Sequence, residues 1–320
     1  MLTQRTPATR IPWAGRARLV VGLGALLAAA PDAAAQQADP TPTEQAVLTR
    51  LEAALRARVA AEPTGEVGVA LVDLATGRRL AINGDVSMHA ASTMKVPVLI
   101  ELFRQVDAGR FAADDSVVVN NQFTSIADGS RYTLGSDRDT EIIERLGQTM
   151  SLRRLATGMS VISSNLATNI LIDVVTADSV QATMVRLGAG DMIVLRGVSD
   201  NPAFAAGMNN MATAASLART LEVIARCEIH SQASCDAMLE ILEAQQFRTQ
   251  IPAGVPAGVR VANKTGSITG HRHDGAIVFP DGRAPYVLTV LTRGIATTAA
   301  ANAVAVDISR LVWEALTGAP

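Results

Sequence analysis

The spacing of apolar residues changes several times along this chain, and each change marks a new element. Leu48, Leu51, Leu55 and Val59 recur every three or four positions, which places them on one face of a helix. Val67, Val69 and Leu71 then alternate, Ala75-Thr76-Gly77 turns, and Arg79 to Ile82 returns, which predicts a strand hairpin. After a short connection, helical spacing resumes at Ser92 and runs to about Ala108. Pro97 has no backbone N–H and is tolerated only near a helix start, so Ser92 falls at the N-terminal end, where free N–H groups gather.

From about 112 to 250 the pattern is helical and loop-rich. Asn120 to Arg138 is polar and irregular, Ser151 to Met159 reads as a helix, and Ser163-Ser164-Asn165 heads another with Leu166, Ile170 and Val174 on one side. A loop carries Asp200-Asn201-Pro202, and further helices are predicted at about 212–226 and 233–246. Strand alternation returns at Val259, Val261 and Asn263. It continues from Gly275 to Phe279, through a Pro280-Asp281-Gly282 turn, and from Tyr286 to Thr292. Val304, Ile308, Leu311, Val312 and Ala315 mark a last helix, stopped near Gly318. Strands at both ends with helices between predict an α/β (α+β) fold in which both termini build one sheet and a helical lobe is inserted. The expected boundaries are about 44–111 and 251–320 for the sheet lobe and about 112–250 for the helical lobe.

The first 35 residues do not fit that pattern. Arg5, Arg10, Arg16 and Arg18 precede an apolar run from Leu19 to Ala30, and Ala33-Ala34-Ala35 follows as a small-residue cleavage site. Residues 1–35 are read as a secretory signal peptide, 36–43 as a linker and 44–320 as the working domain. No cysteine follows the apolar run to take a lipid, and no later stretch is apolar enough to span a bilayer, so an exported, periplasmic protein without a membrane anchor is expected. The net charge of −2 with no basic tract argues against a nucleic-acid partner, and an aromatic content of 3% argues against a base- or sugar-stacking surface. Cys227 and Cys235 are the only cysteines; an exported pair can oxidise, and free thiols are the other reading. No histidine lies at ligand spacing from them, so no metal is expected.

Candidate chemistry begins at Ser92-Thr93-Met94-Lys95. Helix positions three apart share a face, so the Lys95 amine can approach the Ser92 hydroxyl, and a desolvated lysine can act as the base that serine needs. This spacing is common on helix surfaces. Composition raises its weight: of 28 basic residues only Lys95 and Lys264 are lysines. Arginine cannot give up its proton and lysine can, so the two lysines mark positions where arginine will not serve. Lys264 opens Lys264-Thr265-Gly266.

Ser92-x-x-Lys95, Ser163-x-Asn165 and Lys264-Thr265-Gly266, in that order, resemble the serine β-lactamase and penicillin-binding protein superfamily, specifically its class A β-lactamase branch. Ala167 to Leu171 resembles the run that follows S-x-N in class A enzymes, and Ser267 leads into Gly270-His271-Arg272-His273-Asp274, as in many lactamase-like hydrolases. The resemblance covers about 44–318. It implies a five-stranded antiparallel sheet flanked by helices, an all-helical lobe, and a site in the cleft between them. It also implies roles: Ser92 as acylated nucleophile, Lys95 as its base, Ser163 as proton relay, Asn165 as donor to the substrate amide, and Lys264 with Thr265 as the carboxylate site. The backbone N–H groups of Ser92 and Ser267 suit an oxyanion, and Gly266 is expected to clear space for substrate. Arg272 is a further candidate cation for the substrate carboxylate.

Two positions depart from the family pattern. Ser164 stands where S-D-N carries aspartate. The segment Met192 to Leu221 contains no glutamate to activate the deacylating water; the family position falls near Val198, and the one acid, Asp200, is either a substitute base or a turn former, with the turn favoured. Asn169 is expected to anchor that loop, and Met94 and Trp313 to lie in the core or cleft wall. The expected activity is β-lactam hydrolysis through an acyl-serine. The alternatives are a D-Ala-D-Ala carboxypeptidase or esterase, or a non-catalytic sensor acylated by β-lactams. The expected substrate is a small molecule acted on by a monomer, with no cofactor.

Overall fold

A computed structural model describes residues 41–319; the region read as an export leader lies outside the described residues. The first helix, α1 (Pro42–Ala60), starts inside the segment expected to be linker, with proline at a first-turn position where its missing N–H costs nothing. The sheet contains β1 (Glu66–Asp73), β2 (Arg79–Ile82), β3 (Arg260–Ile268), β4 (His271–Phe279) and β5 (Tyr286–Arg293). Its order is β2-β1-β5-β4-β3, antiparallel throughout. β1 pairs with β5 from Glu66↔Arg293 to Asp73↔Tyr286, so the two ends of the chain meet at the middle of the sheet. The β-strand beginning at His271 is longer than the alternation from Gly275 suggests, and it takes His271 to Asp274 into the ladder opposite β3.

Both sheet faces are covered, which explains why all but the first residue of β1 is buried. Val67, Val69 and Leu71 pack with Leu51 and Leu55 of α1 and with Val304, Ile308, Val312 and Trp313 of the C-terminal helix. That helix runs Thr298–Thr317 and ends on Gly318 in the left-handed conformation. Ala70 and Val72 face a second, larger core built with the helical lobe. The helices that contribute to this core include α2 (Lys95–Asp107), which lies within the segment assigned to the sheet lobe, α3 (Leu152–Val161), α4 (Asn165–Val175), α5 (Ala177–Arg186), α6 (Ala214–Arg226) and α7 (Gln232–Glu243). Met94 is fully buried in the same core. Helix α5 has no strong apolar signature. Its start is set by Thr176, whose backbone turns to a φ of +66° and whose hydroxyl accepts from Ser179 N–H.

Cys227 caps α6 in the left-handed conformation and is disulfide-bonded to Cys235 in α7. The loop closed spans a sequence separation of 8. Loop closure on that scale is worth about 2.5 kcal/mol. The double substitution Cys227→Ser/Cys235→Ser is therefore expected to lower unfolding free energy by about that amount in urea titrations, and the wild type in reductant should match it.

Candidate active site

Ser92 lies in a single 3-10 turn, Ala91–Met94, that runs directly into α2. Ala91, just before it, has a φ of +47°, a conformation that non-glycine residues adopt only under local constraint. Ser92 is half-buried and lines the cleft, while Lys95 is fully buried. The bonds of the Lys95 amine differ from the simple expectation. Nζ donates to Ser163 O at 2.8 Å, to Asn165 Oδ1 at 2.9 Å and to Ser163 Oγ at 3.1 Å. Among the described residues, none of its hydrogen bonds ends on Ser92 Oγ. Shared helical face is a local property; the amine is instead drawn to the carbonyl-rich turn that heads α4.

Ser163 is the meeting point. Its backbone has a φ of +61°, and its hydroxyl lies 3.1 Å from Lys95 Nζ and 3.2 Å from Lys264 Nζ. Lys264 also donates to Thr265 O at 2.9 Å. Burial pushes the Lys95 amine well below the ordinary lysine value, helped by the Lys264 charge. Burial likewise brings Lys264 down to about 7, with Asp274 opposing the shift. Asp274, itself pushed up by burial, sits behind β3 and accepts from Asn263 Nδ2 and Ile251 N–H. A hydroxyl can accept from an ammonium on one side and donate to a neutral amine on the other. The Lys95–Ser163–Lys264 cluster can therefore hold or pass a proton.

The turn before α4 is held by two side chains. Ser164, at the position where S-D-N has aspartate, is buried and caps α4 by accepting from Ala167 N–H at 3.0 Å. The carboxylate comes from elsewhere. Asp137 Oδ2 accepts from both Asn165 N–H and Leu166 N–H at 2.7 Å. Sequence reading missed Asp137, because it lies 28 residues before Asn165 in a polar stretch and only the tertiary fold brings it to α4.

Across the cleft, β3 is an edge strand, so part of its backbone is free of the sheet. Thr265 and Ser267 line the cleft, alternating with buried Lys264. Gly266 has a different reason from the one expected. A Cβ there would meet Thr93 Cγ2 at 3.0 Å and Ala90 O at 3.1 Å, so the missing side chain lets β3 approach the Ser92 turn and does not clear room for substrate. Arg272 Nη1 donates to Ser267 Oγ at 2.9 Å and its Nε to Asn302 Oδ1 at 3.1 Å. His273 is buried, accepts from Thr292 N–H and bonds His89 O through Nε2.

On the third side, a cavity of about 320 Å³ is bordered by Ser92, Asn165, Ser267, Val198, Asp200 and His89. Asp200 ties its loop to the turn at Ser125 and Ile126. Its carboxylate accepts from Ser125 Oγ at 2.6 Å, Ile126 N–H at 3.0 Å and Ala203 N–H at 3.1 Å, the last as cap of the short helix Asn201–Ala205. Three donors occupy the carboxylate, and the contact to Ala203 N–H is that of a helix cap, which supports the turn-forming reading. Asn169 anchors this loop as expected: its Oδ1 accepts from Val198 N–H at 2.7 Å and its Nδ2 donates to Val198 O at 3.0 Å. His89 Nδ1 accepts from Ala91 N–H, which leaves Nε2 as the protonated nitrogen, a donor and not a base. Among the described residues no cluster of three or more histidine, cysteine or acidic side chains is placed to hold a metal ion.

The model of the beta-lactamase enzyme family matches residues 50–316. The β-lactamase AST-1 of Nocardia asteroides is 28% identical over 257 residues, which cover 78% of this chain and 79% of that protein. The β-lactamase L2 of Stenotrophomonas maltophilia is 29% identical over 266 residues, covering 80% and 82%. The crystal structure of a β-lactamase from Sphaerobacter thermophilus is 30% identical, covers 84% of this chain and 98% of its own, and superposes with a TM-score of 0.71.

Asp137 supplies a testable consequence of the site's construction. Asp137→Ala strands two backbone N–H groups and is expected to cost about 1–3 kcal/mol of stability. Asp137→Asn keeps an acceptor and should cost less; urea unfolding of both variants measures the difference.

Proposed function

The chain belongs to the beta-lactamase enzyme family, and on that premise we propose that it opens the β-lactam amide through an ester formed on Ser92. The observation that carries the reading is the single hydroxyl of Ser163 held between two buried lysines, beside Ser92 and an open sheet edge. In the proposed reaction Lys95, in the neutral form that burial favours, takes the Ser92 proton as Oγ attacks the carbonyl carbon. Catalytic hydrogen bonds often tighten only when substrate is bound, so the absence of a Ser92–Lys95 bond in the free protein is compatible with this step. The proton then passes from Lys95 to Ser163, and from Ser163 to the ring nitrogen as the C–N bond breaks. The N–H groups of Ser92 and Ser267 stabilise the oxyanion. Asn165 has its Oδ1 occupied by Lys95, which leaves Nδ2 to donate to the substrate amide. Protonated Lys264, with Thr265 and Arg272, holds the substrate carboxylate.

Deacylation is where a second reading has support. Val198 stands where the sequence places the family's base, and the Asp200 carboxylate is taken up by Ser125 Oγ, Ile126 N–H and Ala203 N–H. That favours a longer-lived acyl-enzyme, as in a D-Ala-D-Ala carboxypeptidase or a β-lactam sensor. In either reading we place the protein outside the cytoplasm, carried by the 1–35 leader and working as a monomer whose 44–320 domain forms two lobes around the cleft. Among the described residues no helix is long and apolar enough to cross a membrane.

A chromogenic cephalosporin separates these readings. Steady turnover is the expected result; a stoichiometric burst with a mass adduct on Ser92 would favour the second reading, and no adduct would end both. Lys95→Arg keeps the charge but removes the base, and is expected to slow acylation by roughly 10²–10⁴-fold. The pH profile offers an independent check. Lys264 in the free enzyme loses its proton as pH rises through about 7, so kcat/KM for carboxylate substrates should fall through that range. Lys264→Arg, which stays protonated, should remove that limb.

A further inference from the structure

A second cavity, of about 350 Å³, shares Ser92, Asn165 and Ser267 with the first and continues between Arg138 and the segment 246–250. Its lining includes Arg138, Arg248 and Arg272, and not one carboxylate. Elsewhere arginines pair freely with acids, as in Arg79–Glu222, Arg104–Glu101 and Arg154–Asp139. The three cleft arginines have neutral partners instead. Arg272 bonds Ser267 Oγ and Asn302 Oδ1, Arg248 donates to Val261 O at 3.4 Å, and the Arg138 guanidinium lies 4.9 Å from the Phe247 ring centre. The nearby acids are engaged elsewhere: Asp137 caps α4 and Asp274 lies behind β3.

One substrate carboxylate is accounted for by Lys264, Thr265 and Arg272. Arg138 and Arg248 then remain as exposed cations on facing segments of the same cavity. Their type matters. A guanidinium offers a planar fork to a carboxylate, and a place over the Phe247 ring steadies Arg138 without neutralising it. We propose that Arg138 and Arg248 form a subsite for a second anionic group, so that the preferred substrates are acyl donors carrying two carboxylates. The proposal rests on the acyl-Ser92 reading above and deepens it by naming the substrate class.

The test compares two penicillins that differ in one group: benzylpenicillin, and carbenicillin, which carries an added carboxylate on the side chain. Second-order rate constants for acylation of Ser92 are measured by intact mass, at low and high salt, in wild type and in Arg138→Gln/Arg248→Gln. The readout is the carbenicillin-to-benzylpenicillin ratio, which cancels any loss of folded protein common to both substrates. Removing the two cations is expected to lower that ratio about tenfold, the scale of one charge-assisted hydrogen bond. Salt should lower the wild-type ratio in the same direction, because exposed charges are screened. A ratio that is unchanged in the variant, with both compounds still acylating Ser92, overturns the subsite and leaves the proposed function standing. Failure of both compounds to acylate wild-type Ser92 overturns the proposed function and the subsite with it.

Discussion

Two amines are buried around one hydroxyl, and the site depends on that arrangement. Neither Lys95 nor Lys264 is exposed, and Ser163 Oγ is within hydrogen-bond distance of both. An ammonium taken out of water without a partner carboxylate gives up its proton more easily. Here the partners are carbonyls, an amide and a hydroxyl, so desolvation is only partly repaid. Burial thus lowers the basicity of both amines, that of Lys264 to about 7. It also explains why a chain that otherwise relies on arginine retains lysine at these two positions.

Holding that arrangement requires three separate segments to stay in register. The Ser92 turn is tied to β3 by the close approach that Gly266 permits, and the backbone is constrained at Ala91 and again at Ser163. The α4 turn is tied to the loop at Asp137 by two short bonds to backbone N–H groups. The sheet beneath is buried on both faces, with one hydrophobic core on each side. Lys95 and Lys264 therefore sit on a helix and a strand, while the constrained dihedrals fall in the turns at Ala91 and Ser163.

The loop from Arg196 to Asn210 is built differently. Arg196 is buried but donates to Met208 O, Gly197 O and Asn209 Oδ1, and Asp200 accepts from Ala203 N–H within the loop and from Ser125 Oγ and Ile126 N–H of a neighbouring turn. Polar groups in this loop are spent on holding its shape. Family membership and residue-level mechanism are separate questions, and they are answered by different observations.

Much of this was legible in the sequence because it depends on local periodicity and residue type. Alternation at Val67–Leu71 and Tyr286–Thr292 marked strands, helical spacing marked α1 and the C-terminal helix, and the three short motifs identified the family. Lysine scarcity marked Lys95 and Lys264. What sequence could not determine involves partners distant along the chain. Asp137 reaches α4, Gly266 meets Thr93, and Lys95 bonds Ser163 and Asn165, at separations that no local pattern records. A side chain's period says which face it occupies, but only packing decides what stands opposite it, because burial and hydrogen bonding are settled between segments and not within them.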